Sequence, residues 1–314
     1  MAEIDDTRPW VEKYRPTHFD DIVLDPLNKK LLENIITQNS FPNLLFYGPP
    51  GTGKTTTIIN LINRYQVVYN QKNKGLMIHL NASDDRGIDV IRNQINQFVN
   101  TKTLFGNGMK FVILDEVDYM TKNAQQALKY LIQQYSTNIR FCLICNYISR
   151  IDTALQNEFI RLRFCQLPEK DTFSFLYKIA QAEKLSIKDK QLKSIQYRFK
   201  SDIRSMINYL QSNHYNISNS LDIFTDKFVE SLIKKLKTTK KNKLQLVIKT
   251  CVKYNIQQRE FILQFIAYLI SNKPGILNSK FISSLQFIIH NNTVKETYLL
   301  QYLLGELESV YNVL

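Results

Sequence analysis

The sequence predicts an α/β core, a parallel sheet with helices on both faces, followed by a wholly helical region. Three observations predict it. Between Asn43 and Cys165, short apolar runs alternate with stretches of helical periodicity. The first run passes into a helical stretch through a glycine-rich loop, Gly48-Pro-Pro-Gly-Thr-Gly-Lys-Thr55. From about Asp226 onward strand signals stop, and apolar residues recur at helical spacing among lysines.

Asn43–Tyr47 opens the sheet, because Leu44, Leu45 and Phe46 form the continuous apolar run of a strand buried on both faces. Lys54–Tyr65 follows the glycine loop as a helix. Three further strands, Leu76–Leu80, Lys110–Leu114 and Arg140–Cys145, alternate with helices near Ile88–Val99 and Thr121–Tyr135. A last strand, Arg161–Cys165, ends before Pro168. Short helices then occupy Glu169–Asn213, with Phe173, Leu176, Ile179 and Ala180 on one face. Amphipathic helices are expected at Val229–Leu236, Leu244–Val252, Glu260–Ile270, Lys280–His290 and Tyr298–Val313. Asn272-Lys-Pro-Gly275 makes the turn between the third and fourth of these. The expected domains are 1–166, 167–225 and 226–314.

A chain of 314 residues is long enough for two or three such domains. Its net charge of +13 favours a polyanionic partner, either nucleic acid or an acidic protein. Of the four cysteines, Cys142 and Cys145 form a C-x-x-C pair inside an apolar strand. Residues three apart on a strand face opposite ways, so they read as buried structural thiols rather than a metal site. Met1–Arg8 is polar and acidic, unlike a secretory signal. The longest apolar stretch, Phe261–Ile270, is far short of the ~20 residues of a membrane span. A soluble, intracellular protein is expected.

The chemistry starts at the glycine loop. G-x-x-x-x-G-K-T between a strand and a helix is the pattern that cradles nucleotide phosphates. Gly48, Pro49, Pro50, Gly51, Thr52, Gly53, Lys54, Thr55 and Thr56 make up this cradle. Backbone N–H groups turn inward, Lys54 reaches the β and γ phosphates, and Thr55 can ligate Mg²⁺. Phe111-Val-Ile-Leu-Asp-Glu-Val-Asp118 puts acids at the carboxyl end of a buried strand. Asp115 there is placed to hold Mg²⁺ through water, and Glu116 to polarise the attacking water. Asp118 reads as a cap for the next helix. Asn146 ends another apolar strand, where an asparagine serves either to hydrogen-bond the attacking water or the γ-phosphate, or simply to form the turn. Arg204, at the start of a helix beyond the core, is placed to reach the phosphates across the domain boundary.

These pieces together resemble the AAA+ ATPases, and more narrowly the small subunits of replication factor C, the sliding-clamp loader. The words that carry the resemblance are Pro9-Trp-Val-Glu-Lys-Tyr-Arg-Pro16, Phe46-Tyr-Gly-Pro-Pro-Gly-Thr-Gly-Lys-Thr55 and Leu80-Asn-Ala-Ser-Asp-Asp-Arg-Gly-Ile-Asp89, with Asp115–Asp118 and Arg163-Phe164. They cover the first half densely and fade after about Asn213. The resemblance implies an AAA+ core, a helical lid and an all-α collar that assembles a hetero-pentamer. It implies ATP and Mg²⁺ as cofactors, and as partners sister subunits, a sliding clamp and primer–template DNA. Val11 and Arg15 would border adenine and ribose, Asn146 and Arg204 would act as the two phosphate sensors, and Asn81 would restrain Glu116. Arg86 and Arg92 would track DNA phosphates, and Ile95, Phe98 and Leu104 are candidates for clamp contact. A nuclear location would follow for a eukaryotic chain, and a viral replication compartment for a viral one.

One departure stands out. Where the family carries Ser-Arg-Cys after Leu-Gln, Leu155-Gln156 is followed by Asn157-Glu158-Phe159. A carboxylate there repels a neighbour's phosphate, so this chain is expected to turn over its own ATP without completing the adjacent site. Two other readings are a branch-migration type of motor and an architectural subunit that binds ATP without productive turnover.

Overall fold

The computed structural model describes residues 8–71, 73–83, 88–100, 108–135, 139–165, 167–214, 226–239, 242–253, 256–291 and 293–310. Two compact units result: Met1–Leu185 with Phe199–His214, and Ser186–Arg198 with Tyr215–Leu314.

The first unit holds five parallel strands: β1 (Leu44–Tyr47), β2 (Met77–Asn81), β3 (Lys110–Asp115), β4 (Ile139–Cys145) and β5 (Ile160–Arg163). Their order across the sheet is β2-β3-β4-β1-β5. Leu44 pairs with Cys142 on one side and Ile160 on the other, so β1 is an interior strand with both edges paired. Helices α1 (Trp10–Lys13), α2 (Pro26–Thr37), α3 (Lys54–Val68), α4 (Ile88–Asn100), α5 (Lys122–Tyr135), α6 (Thr153–Gln156), α7 (Glu169–Ala182) and α9 (Ile203–Asn213) complete it. The expected strands and helices form within a few residues of their sequence-read bounds.

Alternate residues of the strands enter two separate cores. Leu44, Phe46, Phe111, Ile113, Cys142 and Ile144 pack with Ile58, Leu61, Ile62 and Tyr65 of α3. Leu45, Val112, Leu114, Leu143 and Cys145 pack on the other face with Ile95 of α4 and Leu128, Leu131 and Ile132 of α5. Each such side chain contributes about 1.5–3 kcal/mol through burial. Cys142 and Cys145 therefore sit on opposite faces. Burial pushes the Cys145 thiol up to about 12 and raises Cys142 further, which keeps both as inert core residues.

The second unit is helical: α8 (Asp189–Phe199), α10 (Asp226–Thr238), α11 (Lys243–Lys253), α12 (Gln258–Asn272), α13 (Ser279–His290) and α14 (Glu296–Val310). Its centre is α12, with Phe261, Ile262, Phe265, Ile266, Tyr268 and Leu269 all buried. Arg198 of α8 forks onto both carboxylate oxygens of Glu260 at 3.0 and 3.1 Å. Arg259 donates to the carbonyls of Ile288, Ile289 and Asn291, which α13 leaves unpaired at its end. Among the described residues, no helix is long and apolar enough to cross a membrane.

Candidate nucleotide site

The strand order sets the carboxyl ends of β3, β4 and β1 side by side, and each carries one part of the site. From β1 the chain runs through the glycine loop into α3. Gly53 caps α3 in the left-handed region (φ +85°) without any side-chain hydrogen bond. The first N–H groups of α3 are thus left for a ligand. Lys54 is only 7% exposed. Its ammonium donates to the carbonyls of Gly48 and Pro49, each at 2.8 Å, and to Asn146 Oδ1 at 3.1 Å. Burial lowers the Lys54 pKa below the ordinary lysine value, while the charges of Asp115 and Asp118 oppose the shift. A cation held out of water in this way is primed for an anion.

At the end of β3, Asp115 Oδ2 accepts the Thr55 hydroxyl at 2.7 Å, and Oδ1 accepts the Glu116 N–H at 2.9 Å. Burial pushes the Asp115 carboxyl up, but hydrogen bonds from His79, Thr55 and Glu116 prevail and hold it below the ordinary value. Glu116 adopts a left-handed φ of +58°, uncommon for a residue with a side chain, and lines the cleft. Thr55 and Asp115 supply hard oxygen donors, which suits Mg²⁺. With the Lys54 cradle, these residues fit a metal–nucleotide.

The cleft itself has a volume of about 230 Å³. Val11 and Arg15 line one end of it, and Arg15 Nε donates to Thr56 Oγ1 at 3.2 Å. Arg204 and Ile207 of α9 line it with Phe175 of α7. The glycine loop holds α9 directly, because the Ile203 N–H donates to the Gly51 carbonyl at 3.1 Å. Asp202 caps α9 through the Ser205 N–H at 3.0 Å and the Ser205 hydroxyl at 2.7 Å. From α1, the Trp10 N–H donates to Gln211 of α9 at 3.0 Å. Tyr14 donates to Glu183, which also takes the Lys13 ammonium at 2.6 Å.

The structure brings together Val11, Arg15, the loop from Pro50 to Thr56, Asp115, Glu116, Asn146 and Arg204. Gly48 and Pro49 take part through the carbonyls that hold Lys54. Arg86 and Leu104 lie outside the described residues, and so does the Arg92 side chain, although its backbone is part of α4. Ile95 is fully buried, so core packing takes it, while Phe98 is partly buried against the same core. Asn81 Oδ1 accepts the Ser83 N–H and hydroxyl at 3.0 and 2.9 Å. Asp118 does not cap α5: Thr121 does, through the Ala124 N–H, and Asp118 turns to the β4 loop instead. Sequence reading missed Tyr14, Phe175, Ile207 and His79. Tyr14 lies inside the Pro9–Pro16 word, but Phe175 and Ile207 look like any core positions of amphipathic helices.

A glycine loop with a buried lysine, a facing strand-end aspartate and a helix-borne arginine define a P-loop nucleotide-binding domain. Residues 44–167 match the family described as ATPase family associated with various cellular activities (AAA). The chain is 42% identical over 208 residues to replication factor C subunit 3 of Schizosaccharomyces pombe, which covers 66% of this chain and 60% of that protein. It is 43% identical over 207 residues to replication factor C subunit 5 of Homo sapiens, with 66% and 60% covered. The matches thus span about 60% of the length of these curated relatives. The RuvB Holliday junction branch migration motor of Thermotoga maritima shares the fold, with a TM-score of 0.53 and 18% identity over 95% of this chain and 89% of that one. Residues 44–167 thus form an AAA ATPase domain, and over about two thirds of its length the chain is similar to replication factor C subunits.

Proposed function

We propose that this chain is an ATP-hydrolysing subunit of a clamp loader, helping to open a sliding clamp and place it on primer–template DNA. The observation that carries the enzymatic part is the convergence of Lys54, the Thr55–Asp115 pair, Asn146 and Arg204 on one cleft. ATP is the nucleotide and Mg²⁺ the metal. Lys54 pairs with the β and γ phosphates, and Val11 and Arg15 border the base and ribose. Thr55 and Asp115 hold the metal, in part through water. Bound Mg²⁺ would neutralise charge developing on the transferred phosphoryl group. Glu116 polarises the attacking water, while Asn146 and Arg204 sense the γ-phosphate.

In this reading 1–166 is the nucleotide core, 167–225 a lid and 226–314 a collar that assembles sister subunits. Similarity to the replication factor C subunits supports the clamp and DNA as partners, with Arg86 and Arg92 tracking DNA phosphates, and supports a nuclear location. The Pro9–Pro16 and Leu80–Asp89 words favour this over a branch-migration motor, since likeness to RuvB at 18% identity concerns the fold alone. Glu158 accepts from Gln133 Nε2 at 2.8 Å, which keeps a carboxylate where the family has its trans-acting arginine. This chain therefore receives a neighbour's arginine but supplies none.

The test is Glu116→Gln in the complex co-purified with sister subunits. The amide cannot act as a base, so turnover should fall on the order of 10²–10⁴-fold with ATP binding intact. Steady-state hydrolysis equal to that of the unaltered complex would sink the role of Glu116.

A further inference from the structure

Two loops carry the candidate base and the candidate phosphate sensor. The loop after β3 holds Glu116, and the loop after β4 holds Asn146. One buried side chain joins them. Asp118 is 5% exposed, and its Oδ2 accepts the backbone N–H of Asn146 at 3.3 Å and that of Tyr147 at 3.2 Å. Its Oδ1 is also buried and has no donor among the described residues. A carboxylate buried with part of its acceptor capacity unmet costs stability. Helix capping does not account for it, because Thr121 caps α5. At the surface the same two loops meet again. The Arg150 guanidinium lies 5.9 Å from the Tyr119 ring centre and 5.0 Å from that of Tyr147.

We propose that Asp118 is a positioning residue for ATP hydrolysis, which holds the Asn146 loop in register with the turn that bears Glu116. The role rests on the ATPase reading above. Asp118 acts through Asn146, whose backbone it fixes and whose Oδ1 lies 3.1 Å from the Lys54 ammonium. Among the described residues it makes no hydrogen bond to the glycine loop or to Thr55, so its removal leaves the Lys54–loop carbonyl and Thr55–Asp115 hydrogen bonds in place. Turnover depends on the relative placement of Glu116 and Asn146, and a 1 Å misplacement is enough to cost about 10²-fold. A side chain that served packing alone would change the folded fraction without changing the rate of the folded enzyme.

The experiment compares Asp118→Ala, Asp118→Leu and Asp118→Asn in the assembled complex. Leucine keeps the number and branching of side-chain heavy atoms without an acceptor, and so covers the case in which alanine leaves a cavity that prevents folding. Asparagine keeps an oxygen able to accept the same two N–H groups. Affinity for a fluorescent ATP analogue should stay within about threefold for all variants. The kcat should fall about 10–100-fold for alanine or leucine and recover most of its value for asparagine. Hydrogen exchange at the Asn146 and Tyr147 amides should quicken in the alanine and leucine variants alone. Unchanged kcat in the leucine variant, or asparagine as slow as leucine, overturns the proposal. So does equal loss of ATP affinity and turnover. An unaltered complex that binds ATP without hydrolysing it overturns the ATPase reading and this role with it, whereas exchange at Asn146 and Tyr147 reads the clamp itself independently.

Discussion

Replacing Gly51 with alanine tests how firmly the glycine loop and α9 are joined. A Cβ on Gly51 would lie 1.8 Å from Asp202 Oδ1 and 2.5 Å from Asp202 Cγ, so Asp202 has to move. Gly51 also sits at φ +73°, where a side chain costs about 1–2 kcal/mol. Moving Asp202 gives up its cap on Ser205, about 0.5–2 kcal/mol. If the Ile203–Gly51 hydrogen bond is also strained, about 0.5–1.5 kcal/mol more is lost. The sum is about 2–5.5 kcal/mol. Gly53→Ala is the internal control, since Gly53 has φ +85° but no atom within 4 Å of the added Cβ. It should cost the backbone strain alone, about 1–2 kcal/mol. Urea unfolding followed by the fluorescence of Trp10, the one tryptophan in the chain, measures both. Trp10 is buried against His214 just beyond α9 and therefore reports this unit. Equal costs for the two variants would refute the reasoning. Failure of Asp202→Ala to relieve the excess in a double variant would refute it as well.

Lys54→Ala should abolish tight ATP binding, because it removes the ammonium that bridges both loop carbonyls and Asn146; unchanged affinity in an equilibrium titration would put the nucleotide elsewhere. The Lys13–Tyr14–Glu183 cluster predicts a pH window. Burial raises the Glu183 pKa, but hydrogen bonds from Lys13 and Tyr14 outweigh it and hold it below 4.5, so its contribution is complete above that value and fades as pH falls through the folded pKa. Glu183 also raises Lys13 above 10.5, a contribution lost as pH climbs through the raised pKa. Trp10 fluorescence should therefore shift in acid at a lower pH than in Glu183→Gln is seen for the general acid transition, and an identical acid titration in both proteins counts against the cluster. Arg86→Ala with Arg92→Ala should reduce the salt slope of DNA binding by about 0.7–0.9 per lost phosphate contact, and an unmoved slope would mean that neither contacts DNA.

Most of the core was legible in the sequence because its signals are local. A continuous apolar run such as Leu44–Phe46 specifies a strand buried on both faces. The spacing of Ile58, Leu61, Ile62 and Tyr65 specifies a helix that covers one of those faces. The glycine loop needs no distant partner to be read, since its backbone geometry, Lys54 and Thr55 lie within one turn of chain. Asp115, Glu116 and Asn146 were visible as polar ends of apolar strands. Their arrangement depends on strand order, which places β3, β4 and β1 as neighbours and so brings Asn146 to Lys54.

What only the tertiary structure decided are the contacts between residues that no periodicity links. Asp118 reads as a cap for the helix that follows it, and only the approach of the β4 loop gives it the Asn146 and Tyr147 N–H groups to accept instead. Gly51 reads as one glycine among three, until Asp202 closes against it and ties α9, with Arg204, to the loop. Phe175 and Ile207 carry the same apolar pattern as true core residues, yet they face the cleft. The physical reason is the same throughout. A side chain's own periodicity states which face it occupies, whereas the partner across that face is set by chain closure over tens to hundreds of residues.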